Sequence, residues 1–278
     1  MIKNLNFISP NGAAMALIGN AMFTLTSIDG FTSADSDVAS VIVPIVDGDT
    51  VTNVQARARE ITLYLRLKQD AGIELAKQYV LGFVKLKKPC KLSMVRGGQP
   101  LEISGTVTYI DLPRFEQGCT MQISLHCEMP YWTDVDYIIN EIRDVIQLHH
   151  FPLAFPAAIP FGVYDDDNTQ TCTNDGDVST GMLMRLIALD TVVNPKVVNA
   201  DTGEYIGIND TLSANDEVII NTNKGQKSIK KNGVNIINKI MTGSTFLQLE
   251  SGENAFNLQA TSGASNVYLR LEYKRRFV

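Results

Sequence analysis

The stretch Glu60-Ile61-Thr62-Leu63-Tyr64-Leu65-Arg66-Leu67 decides the fold class. Ile61, Leu63, Leu65 and Leu67 fall on one face, and Thr62, Tyr64 and Arg66 on the other. A period of two is a strand with one buried and one wetter face. Met121–Met129 repeats the pattern: Met121, Ile123, Leu125, Cys127 and Met129 oppose Gln122, Ser124, His126 and Glu128. Glu102–Ile110 and Val267–Tyr273 alternate likewise, and Val218 and Ile220 suit a shorter strand. One-sided alternation is the pattern of antiparallel sheets, so the chain is predicted to be mainly β. Turn signals fall between the strands at Val46-Asp47-Gly48-Asp49, Arg96-Gly97-Gly98, Asn174-Asp175-Gly176 and Asn232-Gly233. The last suits a type I′ hairpin between Gly225–Lys230 and Val234–Ile237, because both turn residues tolerate positive φ.

One segment leaves this pattern. In Asp70–Lys88, Ile73, Ala76, Val80, Phe83 and Val84 recur at steps of three and four. Lys85, Lys87 and Lys88 crowd its end, where cations suit the helix dipole, and Pro89 stops it. A second, shorter helix is expected over Tyr137–Leu148. Three prolines (Pro152, Pro156 and Pro160) then fall within Phe151–Phe161, which reads as a stiff, extended connector. From about Asp165 onward the texture turns to Asn, Asp, Thr and Gly between short strands, the composition of a β-sandwich. The predicted organisation is an N-terminal β-sheet or barrel-like domain with one packed helix over residues 1–140, a Pro/Phe-rich linker over 141–162, and a C-terminal β-sandwich over 163–278.

Composition bounds the function. The chain has 278 residues, with 24 Lys+Arg against 30 Asp+Glu, a formal charge of −6. That balance is a poor match for a nucleic-acid binder, which gathers a basic excess into a patch. Apolar residues make up 45% and charged residues 19%, enough for real cores. No apolar run reaches the roughly 18–20 residues that span a bilayer, so no membrane insertion is expected. The start, with Pro10, Asn11, Gly12 and Asn20 interrupting its apolar residues, reads as folded protein and not as a signal peptide. Cys90, Cys119, Cys127 and Cys172 are widely spaced, with no CxxC pair, and read as reduced thiols.

The sequence holds no GxSxG elbow, no HExxH, no phosphate-binding GxxxxGK[ST] and no GxGxxG. His126 alternates onto the polar face of its strand, and His149-His150 closes the expected short helix. No catalytic residue, cofactor or metal is predicted. The best candidate ion loop joins Asp165 and Asp167 to Asp175 and Asp177, since clustered carboxylates can ligate Ca²⁺. It fails the EF-hand spacing, and a solvated loop is the favoured reading. Trp132, the sole tryptophan, follows the cleanest strand and reads as a plug capping a core.

The order of features carries a resemblance. Ile28-Asp29-Gly30-Phe31 comes first, then Val43-Pro44-Ile45-Val46-Asp47-Gly48, an alternating strand, a helix, and a strand ending in Pro130-Tyr131-Trp132. The Pro/Phe connector follows, then Asn174-Asp175-Gly176-Asp177, Asn194-Pro195, Asn199-Ala200-Asp201-Thr202-Gly203-Glu204, Asp216–Asn221, Lys224-Gly225 and Phe246–Asn254. This ordered set resembles the distal tail protein (Dit) family of long-tailed siphophages, including prophage copies. The resemblance implies a virion structural protein of the tail tip, assembled in the bacterial host cytoplasm. It implies a homo-hexameric ring between the tail tube protein and the tail-associated adhesin or lysin protein. The N-terminal domain would form the ring and a galectin-like β-sandwich would point outward. No long insertion follows Asp165, so the receptor-gripping arm of longer members is not expected. In a ring, strand edges and sheet faces are completed by neighbours; Val43, Ile45, Ile61, Leu63 and Leu65 are the expected interface residues. The competing reading is a carbohydrate-binding protein that holds host cell-wall glycans through the C-terminal sandwich.

Overall fold

The computed structural model describes residues 3–32, 34–43, 47–70, 72–111, 119–142, 145–147, 162–164 and 169–278. The chain divides into two compact units, Met1–Val135 with Phe277–Val278, and Asp136–Arg276. The connector Phe151–Phe161, His149, His150, Ile45, Asp165 and Asp167 lie outside the described residues.

In the first unit the strands are β1 (Lys3–Ile8), β2 (Ala14–Ala16), β3 (Phe23–Asp29), β4 (Ser36–Val41) and β5 (Thr50–Ala56). They continue with β6 (Arg59–Leu67), β7 (Pro89–Arg96), β8 (Gln99–Asp111), β9 (Thr120–Cys127) and β10 (Trp132–Asp134). The main sheet runs β2-β1-β7-β8-β9-β6-β3, an open path among the described residues, with β10 alongside β8. Neighbouring strands are antiparallel, and β6 meets β9 in the register Ile61↔Leu125, Leu63↔Ile123, Leu65↔Met121. Both strands alternate as their sequences predict, and these six side chains are at most 1% exposed. The one helix, α1 (Ile73–Phe83), sets Ala76 and Val80 into the same core. It is shorter than expected: Val84 is already extended, and Lys87 takes a left-handed φ of 60°. Lys85 still meets the helix end, its Nζ donating to the Leu81 carbonyl at 2.6 Å.

In the second unit a six-stranded sheet has the spatial order Ile138–Ile142, Val267–Tyr273, Met182–Ala188, Glu217–Asn221, Ser228–Lys231, Val234–Asn235. A four-stranded sheet runs Thr169–Asn174, Gly252–Gln259, Lys196–Asn199, Tyr205–Gly207. Met184, Leu186 and Leu269 from one sheet share a single core with Cys172, Val197 and Phe256 from the other, which makes this unit a β-sandwich. The expected hairpin is present: Lys231 pairs with Val234 across Asn232 (φ 49°) and Gly233 (φ 82°).

The short helix expected over Tyr137–Leu148 is not formed. Ile138–Ile142 is a strand that completes the edge of the six-stranded sheet, with Ile138 opposite Tyr273, and Val145–Gln147 pairs with Gly162–Tyr164. Ile138, Ile139 and Ile142 are β-branched, and an available sheet edge outweighs a weak helical spacing. The chain end is shared: Val267–Tyr273 lies inside the second unit's sheet, whereas Phe277 packs against the first unit's core.

Candidate assembly surface

Among the described residues the strands β4 and β5 pair only with each other. Of their residues only Asp37 is half-buried and all the rest are exposed, although the sequence there is rich in valine. Val38 stands opposite Val54, and an extra residue, Thr52, shifts the register beyond Ala39 so that Val51 stands opposite Ser40. Val38 and Ser40 share a face, so the bulge brings Val51 onto the face of Val38 and Val54. These three valines are 58%, 54% and 59% exposed in chain order, and Ile42, next to the tip, is 80% exposed. The result is a projecting arm with an apolar face.

The root of the arm is locked. Gly30 takes a φ of 70°, and a Cβ there would sit 1.9 Å from the Glu60 carbonyl oxygen. Phe31 is buried and its ring tilts against Trp132 at 5.1 Å, so Trp132 caps the core as expected. The Phe31 carbonyl accepts from Arg59 Nη1 at 3.0 Å and from Trp132 Nε1 at 3.4 Å. Arg59 is 3% exposed, its Nε and Nη2 have no partner among the described residues, and burial pushes its pKa down. Higher up, Arg57 pairs with Asp37 and donates its backbone N–H to the Asp35 carbonyl at 2.8 Å. The ion pair holds the Asp37 carboxyl below the usual carboxylate range.

The expected interface residues separate into two groups. Val43 is 42% exposed just past β4. Ile61, Leu63 and Leu65 have zero exposure in the unit's own core, so they are not side-chain contacts with a neighbour. Alternation says which residues share a face, not whether the covering layer comes from the same chain; here α1, β1 and β3 supply it. Val38, Val51 and Val54 were missed. Their β-branched runs on either side of Val46-Asp47-Gly48-Asp49 signal a hairpin, but nothing local signals that it stands free.

No group of three or more metal-ligating side chains is gathered among the described residues. Asp175 faces Arg275 at 3.5 Å instead of another carboxylate. His126 pairs with Glu60 on the outer face of the first sheet. All four cysteines are buried free thiols, and burial pushes Cys90 up to about 12 and Cys127 up to about 11. In the sandwich, Phe256 and Tyr273 are core residues and Tyr205 donates its hydroxyl to the Thr242 carbonyl at 2.7 Å. Its polar residues form internal ion pairs: Arg185 donates to Glu272 at 2.9 Å and Glu217 at 3.1 Å, and Lys231 bridges Asp216 at 2.9 Å and Asp210 at 3.6 Å.

The chain is mainly β, in two units, with an exposed apolar arm on the first. Residues 175–277 match the family of siphovirus-type tail components, in their C-terminal domain. Those residues therefore match the distal tail (Dit) family of phage tail proteins that the sequence resembles. Over the whole chain, the fold is similar to that of the Dit (gp 19.1) protein of phage SPP1, described as a paradigm of the hub adsorption apparatus in phages infecting Gram-positive bacteria. The two are 12% identical with a TM-score of 0.66, covering 99% of this chain and 100% of that one. A chain of the phage P2 baseplate in its activated conformation with Ca is also similar, at 12% identity and a TM-score of 0.50, covering 100% of both. No curated protein matches the chain by sequence.

Proposed function

We propose that this protein is a structural component of a siphophage tail tip. Its copies associate into a hexameric ring that joins the tail tube to the adhesin or lysin proteins, after assembly in the host cytoplasm. The observation that carries this reading is the β4–β5 arm. A lone two-stranded hairpin is marginal in water, and one that presents Val38, Val51 and Val54 to solvent is a partner-seeking element. An arm that seats on a different surface of another copy makes a heterologous contact, the kind that builds rings where the rotation closes. The hub and baseplate proteins with the same fold support the tail-tip location.

Light scattering after gel filtration, over a range of concentrations and with tail tube protein added, tests it. Six chains of 30.6 kDa, about 184 kDa, are expected. A monomer that persists with tail tube protein present overturns the ring.

A further inference from the structure

We propose where the arm goes: onto a groove on the outer face of the first unit's sheet in the next copy, with the arm's acidic tip against the lysines that follow α1. This rests on the self-assembly reading above. Two adjoining depressions of about 410 and 250 Å³ share Pro89 and Ser104 and form the groove. Ile8 and Pro10 line one end, and His126 and Met129 the other. Met129 is 47% exposed.

Position supports the match. Glu60 is in register with His126, His126 with Thr106, and Thr106 with Pro89. The chain leaves β3 for the arm at Gly30, directly against the Glu60 carbonyl. Arm root and groove therefore lie on one transverse line of the sheet, the root at the β3 end and the groove over β9, β8 and β7 toward the β1 end. A donor and an acceptor on different sides of a subunit make a head-to-tail contact, which builds a ring where the rotation between copies closes.

Charge supports it as well. Within the arm Asp37 is neutralised by Arg57, but Asp47 and Asp49 at the exposed tip have no cationic partner among the described residues. Lys87 and Lys88, exposed beside Pro89, have no carboxylate partner among the described residues either. The groove's other charges are mostly engaged: Lys91 pairs with Glu102 at 3.0 Å and His126 with Glu60, leaving Glu128 at the His126 end. Unpaired acids on the arm and unpaired lysines on the acceptor suit each other, and rim charges of this kind set register and partner choice.

The test is a charge swap in the full-length protein, with assembly followed by light scattering against concentration. The double variant Lys87→Glu/Lys88→Glu, and separately Asp47→Lys/Asp49→Lys, should each raise the half-assembly concentration by about tenfold or more. The four-fold variant, with both reversals, should return it to within about threefold of the wild type. All four side chains are exposed, so the melting temperature serves as a control for intact folding. Assembly by Lys87→Glu/Lys88→Glu at the wild-type concentration, or no rescue in the combined variant, places the arm on another surface. A wild type that stays monomeric at every concentration, with tail tube protein present as well, removes the self-assembly reading and this docking with it.

Discussion

Replacing Val38 and Val54 together by aspartate should weaken self-association strongly while leaving the fold intact. Fully burying a valine stabilises a contact by roughly 1.5–3 kcal/mol. Val38, Val51 and Val54 are 58%, 54% and 59% exposed, so a little over half of that is available at each. Covering all three contributes about 3 kcal/mol per contact, a factor of about 150 in the association constant. The double substitution removes about two thirds of this and forces two carboxylates toward an apolar surface, so the half-assembly concentration should rise at least about 30-fold. Both side chains lie outside the hydrophobic core, so the melting temperature of the monomer should move by no more than a few degrees. Sedimentation equilibrium, with circular dichroism melting alongside, reads both quantities. Unchanged association would refute the argument. So would a collapse of the melting temperature, which would mean that the arm is part of the fold and not a free contact.

Gly30→Ala should cost about 2–4 kcal/mol, because alanine at φ 70° is strained and its Cβ would meet the Glu60 carbonyl oxygen at 1.9 Å; thermal melting of the full chain reads the loss. Leu65→Asp should unfold the first unit instead of leaving folded monomers, since Leu65 has zero exposure in the core; folded dichroism and intact oligomers in that variant would refute its placement. In the second unit the Ser213 backbone N–H, then Lys231 and Asn232, hold the Asp216 carboxyl down to about 2. A depressed carboxylate contributes stability that is fully present above about pH 4 and is lost as pH falls through about 2. Asp216→Asn should therefore destabilise the sandwich by about 1–2 kcal/mol at neutral pH and flatten its acid unfolding between those limits, followed by melting across that range.

The strands and the core were legible because alternation is local. Glu60–Leu67 and Thr120–Cys127 could be read without knowing their neighbours, and they occupy the core in the phase their side chains dictate. Asn232-Gly233 was legible for the same reason, since the demand for positive φ at two successive residues belongs to the turn itself. What failed depended on distant chain. Ile138–Ile142 becomes a strand because Val267–Tyr273, more than a hundred residues later, offers an unpaired edge. Ile61, Leu63 and Leu65 were assigned to a neighbour because no local pattern reveals that β1, β3 and α1 of the same chain cover them. The valines of the arm escape the local pattern for the converse reason: among the described residues nothing covers them.

In the proposed ring, the locked root lets so small an apolar face suffice. Ordering a flexible segment on binding costs about 1–2 kcal/mol per residue in backbone entropy alone, which would exceed the gain from three half-exposed valines. In the arm that ordering is complete before any partner arrives. The β4–β5 pairing fixes the strands, Thr52 sets which valines share a face, and Gly30, Phe31, Arg59 and Trp132 pin the chain where it leaves the sheet. Each contact then keeps most of its few kcal/mol. In a closed ring the last contact forms within a single assembly, at an effective concentration far above that of free chains. Weak identical contacts thereby add up to a stable ring while single pairs remain short-lived. Substitutions at the root should accordingly weaken assembly even where they leave Val38, Val51 and Val54 untouched.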